Sequence, residues 1–160
     1  MSGATLPSAQ NIPMRLMLVH HADAVGPHVD PQRPLSTLGH EQARDLAVRA
    51  KATGFVPAAI WHSGKLRARQ TAEPFLQLNP FAEFKMIRGI SPDDPPELLL
   101  ESLSHESRDL IVVSHMPYLP ALLERLAPRA MMFPMHGYVL LERDGEGWKE
   151  IERSAGGAGL

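Results

Sequence analysis

Three short segments carry side chains that could handle a phosphoryl group: His20-His21, Ser63 with Arg67, and Ser114-His115. Neutral imidazole is a fair nucleophile at cellular pH and can carry a covalent phosphoryl group, which splits one difficult displacement into two easier ones. An arginine donates two parallel hydrogen bonds to phosphate oxygens, and a helix start beneath it adds backbone N–H groups and the positive end of the helix dipole. The transferred group passes through a loose transition state with charge spread over three oxygens, so the reaction needs surrounding donors more than a metal. His115 and Arg67 are the candidate donors.

These residues converge only if the elements carrying them end on one side. Apolar strand-like runs alternate with helix-like segments, the pattern of an α/β domain with a mostly parallel central sheet between helical layers. The run at 15–19 stops at His20-His21-Ala22-Asp23. Ser36 or Thr37 then caps a helix reaching about Lys51, with Leu38, Leu46, Ala47 and Ala50 on its inner side and Gly54 after its end. A second strand at 58–61 is closed by His62-Ser63-Gly64, and a helix at 66–76 opens with Arg67 and Arg69. A short strand at 84–87 leads into the turn-rich segment Ser91-Pro92-Asp93-Asp94-Pro95-Pro96. The helix that follows presents Leu98, Leu99 and Leu103 and ends near His105. The β-branched strand at 110–113 stops at Ser114-His115, a helix covers 118–127, and 138–141 with 148–151 form a hairpin turned at Asp144-Gly145. In an open α/β sheet ligands lie beyond the carboxyl ends of the strands, where all three segments fall.

The chain of 160 residues is the size of one domain, expected at 13–153 with tails at 1–12 and 154–160. A net charge of −2 gives no footprint for nucleic acid. The absence of cysteine excludes disulfides, iron–sulfur ligation and a thiol nucleophile. No stretch approaches the roughly 20 apolar residues that span a bilayer, and no apolar signal segment opens the chain, so a cytoplasmic protein without membrane partners is expected. No cofactor and no metal is called for.

The segments Val19-His20-His21-Ala22-Asp23, Arg33-Pro34-Leu35-Ser36 with Gly39, Ser63 to Glu73, and Val113-Ser114-His115-Met116-Pro117 resemble, in the same order, those of the SixA-type branch of the histidine phosphatases. The resemblance implies a phosphoglycerate mutase-like α/β/α fold. It implies phosphohistidine formation on His21, a phosphate-binding role for Arg67, and a second site histidine in His115. It further implies a phosphohistidine protein or small phosphorylated molecule as partner. Two positions depart from the family's Arg-His-Gly: His20 stands for the arginine, and Ala22 adds a methyl where the backbone passes close to the ligand. Losing one fixed donor typically slows such a reaction about 10²- to 10³-fold. A protonated His20 could partly replace that donor.

Asp94, with Asp93 beside it, is the candidate proton donor for a leaving group. Arg33 either binds substrate or pairs with a carboxylate such as Asp30, and Ser63 is a candidate substrate contact. Asp23 orients a histidine or caps the loop. His28, His40, His62 and His105 read as structural or exposed, and His136, just before a strand, is a lesser candidate for the pocket wall. Two other readings stand beside the phosphatase: a phospholigand-binding relative without turnover, and a metal-dependent hydrolase using His20, His21, His115 and Asp94. Adjacent strand residues face opposite ways, so His20 and His21 could share an ion only if the backbone has left the strand.

Overall fold

The structure is a computed structural model that describes residues 12–156. Six strands are paired in the order β3-β2-β4-β1-β5-β6: β1 (Arg15–His20), β2 (Ala59–His62), β3 (Glu83–Met86), β4 (Leu110–Ser114), β5 (Tyr138–Asp144) and β6 (Gly147–Ser154). β1 and β2 both run parallel to β4, and β3 runs parallel to β2. β5 pairs antiparallel with β1 and with β6. Of the tails expected at 1–12 and 154–160, all but residues 12 and 154–156 lie outside the described residues, and Ser154 closes β6.

Alternation along the central strands explains the layers. Leu16 and Leu18 of β1 pack with Leu110 and Val112 of β4 against α3 (Glu97–Ser104) and α4 (Tyr118–Leu126). Met17 and Val19, with Ile111 and Val113, pack on the other face against α1 (Thr37–Ala52) and α2 (Leu66–Leu78). Strands buried on both faces read as unbroken apolar runs, which is why 15–19 and 110–113 stand out in the sequence. The result is the expected three-layer α/β/α architecture. Among the described residues no helix is long and apolar enough to cross a membrane.

Two leucines depart from expectation. Leu38 is 45% exposed. The inward residue of the first turn of α1 is instead Gly39, where a Cβ would collide with the Asp23 carbonyl. Leu98 is 55% exposed and covers Gly89, whose positive φ of 88° leaves no room for a Cβ beneath that leucine. Leu99 and Leu103 carry the apolar face of α3. Ser36 caps α1, its Oγ accepting from Gly39 N–H at 3.0 Å.

Candidate active site

β1, β2 and β4 release His20-His21, His62-Ser63 and Ser114-His115 at the same end of the sheet. His20 pairs with Ser114 in the parallel ladder, and His21, one residue past the strand, is held by its N–H to Ser114 O at 3.0 Å. Since the backbone leaves the strand there, both rings turn to one side: their centroids are 4.6 Å apart. The His115 ring lies 5.1 Å from that of His21.

Hydrogen bonds settle the roles of the ring nitrogens. His21 Nδ1 lies 2.7 Å from Ala22 O, and a carbonyl can only accept, so Nδ1 carries the proton. The unshared pair of neutral His21 therefore sits on Nε2. His20 is the reverse: its Nδ1 accepts His136 N–H at 2.7 Å, so the proton of the neutral ring is on Nε2. His115 Nε2 is 2.6 Å from Ser63 Oγ, while its Nδ1 is sealed with no partner among the described residues.

Burial keeps these rings neutral. It pushes the His21 pKa down to about 4, with Arg67, His136 and Arg33 adding to the effect against the bond to Ala22. It pushes His115 down to about 3, helped by His21, Arg67 and Lys65. It pushes His20 down to about 2, helped by His21 and His136. The His20 Nδ1 is already an acceptor for a backbone N–H, and its ring is buried beside two other imidazoles. His20 enters the site as a neutral Nε2–H donor.

Two guanidinium groups lie near enough to lower the pKa values of His21 and His115. Arg67, in the first turn of α2, has its Nε sealed without a partner, and its pKa is lowered by burial and by Arg33. Arg33, at a positive φ of 50°, is anchored by its Nε to Val25 O at 2.9 Å. Arg33 makes no ion pair with Asp30, which instead accepts from Gln32 N–H. Arg67 likewise has no carboxylate partner among the described residues.

The remaining candidates divide. Ser63 is bonded to His115 and so bears on that ring first. Asp94 accepts from Ser91 N–H at 2.9 Å and lines a groove of about 470 Å³ that reaches Ser63 and is also lined by Met86, Ile87, Arg88 and Leu98. Asp93 is exposed beside it. Among the described residues no three His, Asp or Glu side chains converge as metal ligands, so His20, His21, His115 and Asp94 do not form a coordination shell. Asp23 caps the loop, accepting from Ser36 Oγ at 2.6 Å and donating its N–H to Gln42. The Ala22 methyl packs in a small cluster with Leu35 and Ala43, while Ala22 N–H donates to Thr71 Oγ1 at 2.9 Å.

The residue under-read in the sequence is His136. Its ring stacks on His20 at 4.8 Å with planes 6° apart, and its Nδ1 donates to His21 O at 2.8 Å. Pairing of Tyr138 with Val19 brings it there. The only sequence signal is its place just ahead of a strand that happens to join β1.

Comparison with known proteins gives the same picture. The family model of the histidine phosphatase superfamily (branch 1) matches residues 19–87. No curated protein matches the chain by sequence. Among solved structures, SixA from Agrobacterium tumefaciens is similar at 25% identity and a TM-score of 0.75, covering 89% of this chain and 98% of that one. The protein histidine phosphatase SixA complexed with tungstate shares the fold at 22% identity and a TM-score of 0.76, covering 89% and 97%. A phosphoserine phosphatase from Entamoeba histolytica with bound phosphoserine does so at 14% identity and a TM-score of 0.69, covering 89% and 98%. His20, His21, Arg33 and Arg67 lie inside the segment that matches the histidine phosphatase superfamily model, and the fold that this chain shares with the solved structures brings His115 beside them.

Proposed function

We propose that the protein is a phosphatase acting on phosphohistidine protein or a small phosphomonoester, through a covalent phosphohistidine on His21. The observation that carries this is the bond from His21 Nδ1 to Ala22 O, which leaves the Nε2 electron pair as the free end of a buried, neutral ring. Arg67 and Arg33 stand close enough to repel each other without a carboxylate between them, and an anion placed there relieves that repulsion.

In the first step His21 Nε2 attacks phosphorus. The P–N bond forms as the bond to the leaving group breaks, and the leaving group departs with the electron pair. Arg67, Arg33 and His20 Nε2–H donate to the three phosphoryl oxygens as their charge develops. His115 joins them by exchanging its Ser63 bond for a phosphate oxygen. The leaving group occupies the groove beside Ser63, where Asp94 supplies its proton, and a phosphohistidine substrate also draws that proton from solvent. Water then attacks phosphorus and passes a proton to the Asp94 carboxylate as the P–N bond breaks; the electron pair returns to His21 Nε2 and inorganic phosphate leaves.

The test compares wild type with His21→Ala on phosphohistidine protein and on an aryl phosphate, with the acid-labile histidine adduct followed in parallel. Turnover and adduct in the wild type, both lost in the variant, are expected. An anion-binding protein that neither turns over nor traps phosphate would leave the phospholigand-binding reading in its place, and activity abolished by strong chelator would point to the metal-dependent one.

A further inference from the structure

The two neighbouring imidazoles are locked in opposite tautomers by backbone groups on either side. Ala22 O takes the Nδ1 proton of His21, and His136 N–H fills the Nδ1 electron pair of His20. One ring therefore offers a lone pair at Nε2 and the other a proton at Nε2. His136 contributes a second contact, because its ring Nδ1–H donates to the carbonyl of His21 itself. It does so from a φ of 52°, a conformation that non-glycine residues rarely adopt.

The surroundings hold it there. Gly156 N–H donates to Met135 O at 3.2 Å, and a Cβ on Gly156 would collide with the His136 carbonyl. A Cβ on Gly137 would collide with Ser154 O. The end of β6 is thus pressed against the turn that carries His136. A conformation that is unfavourable by itself, and fixed from two sides, calls for a reason in the contacts it makes.

We propose that His136 is a positioning residue of the phosphate site, presenting the Nε2 atoms of His20 and His21 to one phosphoryl group. This rests on the phosphatase reading above. His136 acts through the other two rings, and its bond to the His21 carbonyl fixes the peptide from which the nucleophile projects. Misplacing a reacting group by about 1 Å is enough to slow a reaction about 10²-fold.

Two substitutions separate positioning from bulk. His136→Gly keeps access to positive φ and the backbone N–H but removes the ring. His136→Asn also tolerates positive φ, and its amide N–H takes the place of the ring Nδ1–H. On an aryl phosphate, His136→Gly is expected to lower kcat about 10- to 100-fold with KM within about threefold of wild type, and His136→Asn to recover most of the loss. Melting temperatures confirm that both variants fold. Nitrogen-15 spectra of the wild type are expected to show an unprotonated Nδ1 in His20 and an unprotonated Nε2 in His21.

Reversed tautomers, a kcat for His136→Gly near that of wild type, or equal losses in the Gly and Asn variants would each overturn the assignment. If wild type neither turns over nor forms an adduct, the phosphatase reading falls, and the affinity for inorganic phosphate decides the role of His136. Tenfold weaker binding in His136→Gly that Asn restores sustains it, and unchanged binding in His136→Gly removes it.

Discussion

Lowering the pH should unfold this protein through its site. His20, His21 and His115 are buried, and their folded pKa values lie near 2, 4 and 3, against 6.5 in the unfolded chain. Below about pH 6.5 the unfolded chain binds protons that the folded protein refuses, so stability is complete above that value and falls with the pH. From about pH 7 to about pH 5 each ring withdraws ~2 kcal/mol, or ~6 kcal/mol for the three, comparable to the whole stability of many domains. His62, held low by burial and by Arg69, acts in the same direction. Glu106, whose carboxyl Arg108 holds at about 2, adds its own loss only at lower pH. Urea unfolding at several pH values across this window measures the slope directly. In His115→Gln the loss over the window should shrink by ~2 kcal/mol, whatever the substitution does to stability at pH 7. A free energy of unfolding that is flat from about pH 7 to about pH 5, or a His115→Gln slope equal to that of wild type, would refute the claim that these rings are buried neutral.

Three further outcomes follow from individual contacts. Ala22→Gly removes a methyl packed with Leu35 and Ala43, so it should destabilise by ~1.5 kcal/mol in urea unfolding and leave phosphate affinity unchanged; tighter phosphate binding would show that the methyl crowds the ligand. Thr71→Val leaves the Ala22 N–H without its acceptor inside a fully buried site, which should lower stability by ~1–3 kcal/mol and kcat by about tenfold. Arg67→Lys exchanges a planar fork for a point charge, and calorimetry should find inorganic phosphate bound about 10- to 100-fold more weakly.

Much of this arrangement could be read from the residues in order. Doubly buried strands gave continuous apolar runs, Ser36 announced the start of α1, and the polar groups that matter stand where β1, β2 and β4 stop. What could not be read depends on pairings distant in sequence. His136 reaches His20 across 116 positions because β5 returns antiparallel to β1, and nothing near Met135-His136-Gly137 encodes that partner. The packing of the Ala22 methyl depends on Leu35 and Ala43 in the same way. The surroundings of His20 depend on distant partners as well, since its ring packs against His21 and His136 and its Nδ1 accepts a backbone N–H. Leu38 and Leu98 went outward because Gly39 and Gly89 set how close the neighbouring backbone and side chains come.

The pressure of the β6 end on the turn before β5 also governs how the molecule can be handled. Cutting the chain after Arg153 deletes Ser154, which accepts from Arg49 through its hydroxyl, together with the glycine that bonds Met135. A purification tag fused directly behind Gly156 would lean on the same turn. β1 starts at Arg15, at the end of the strands opposite the histidines, so a tag placed ahead of it leaves their geometry alone.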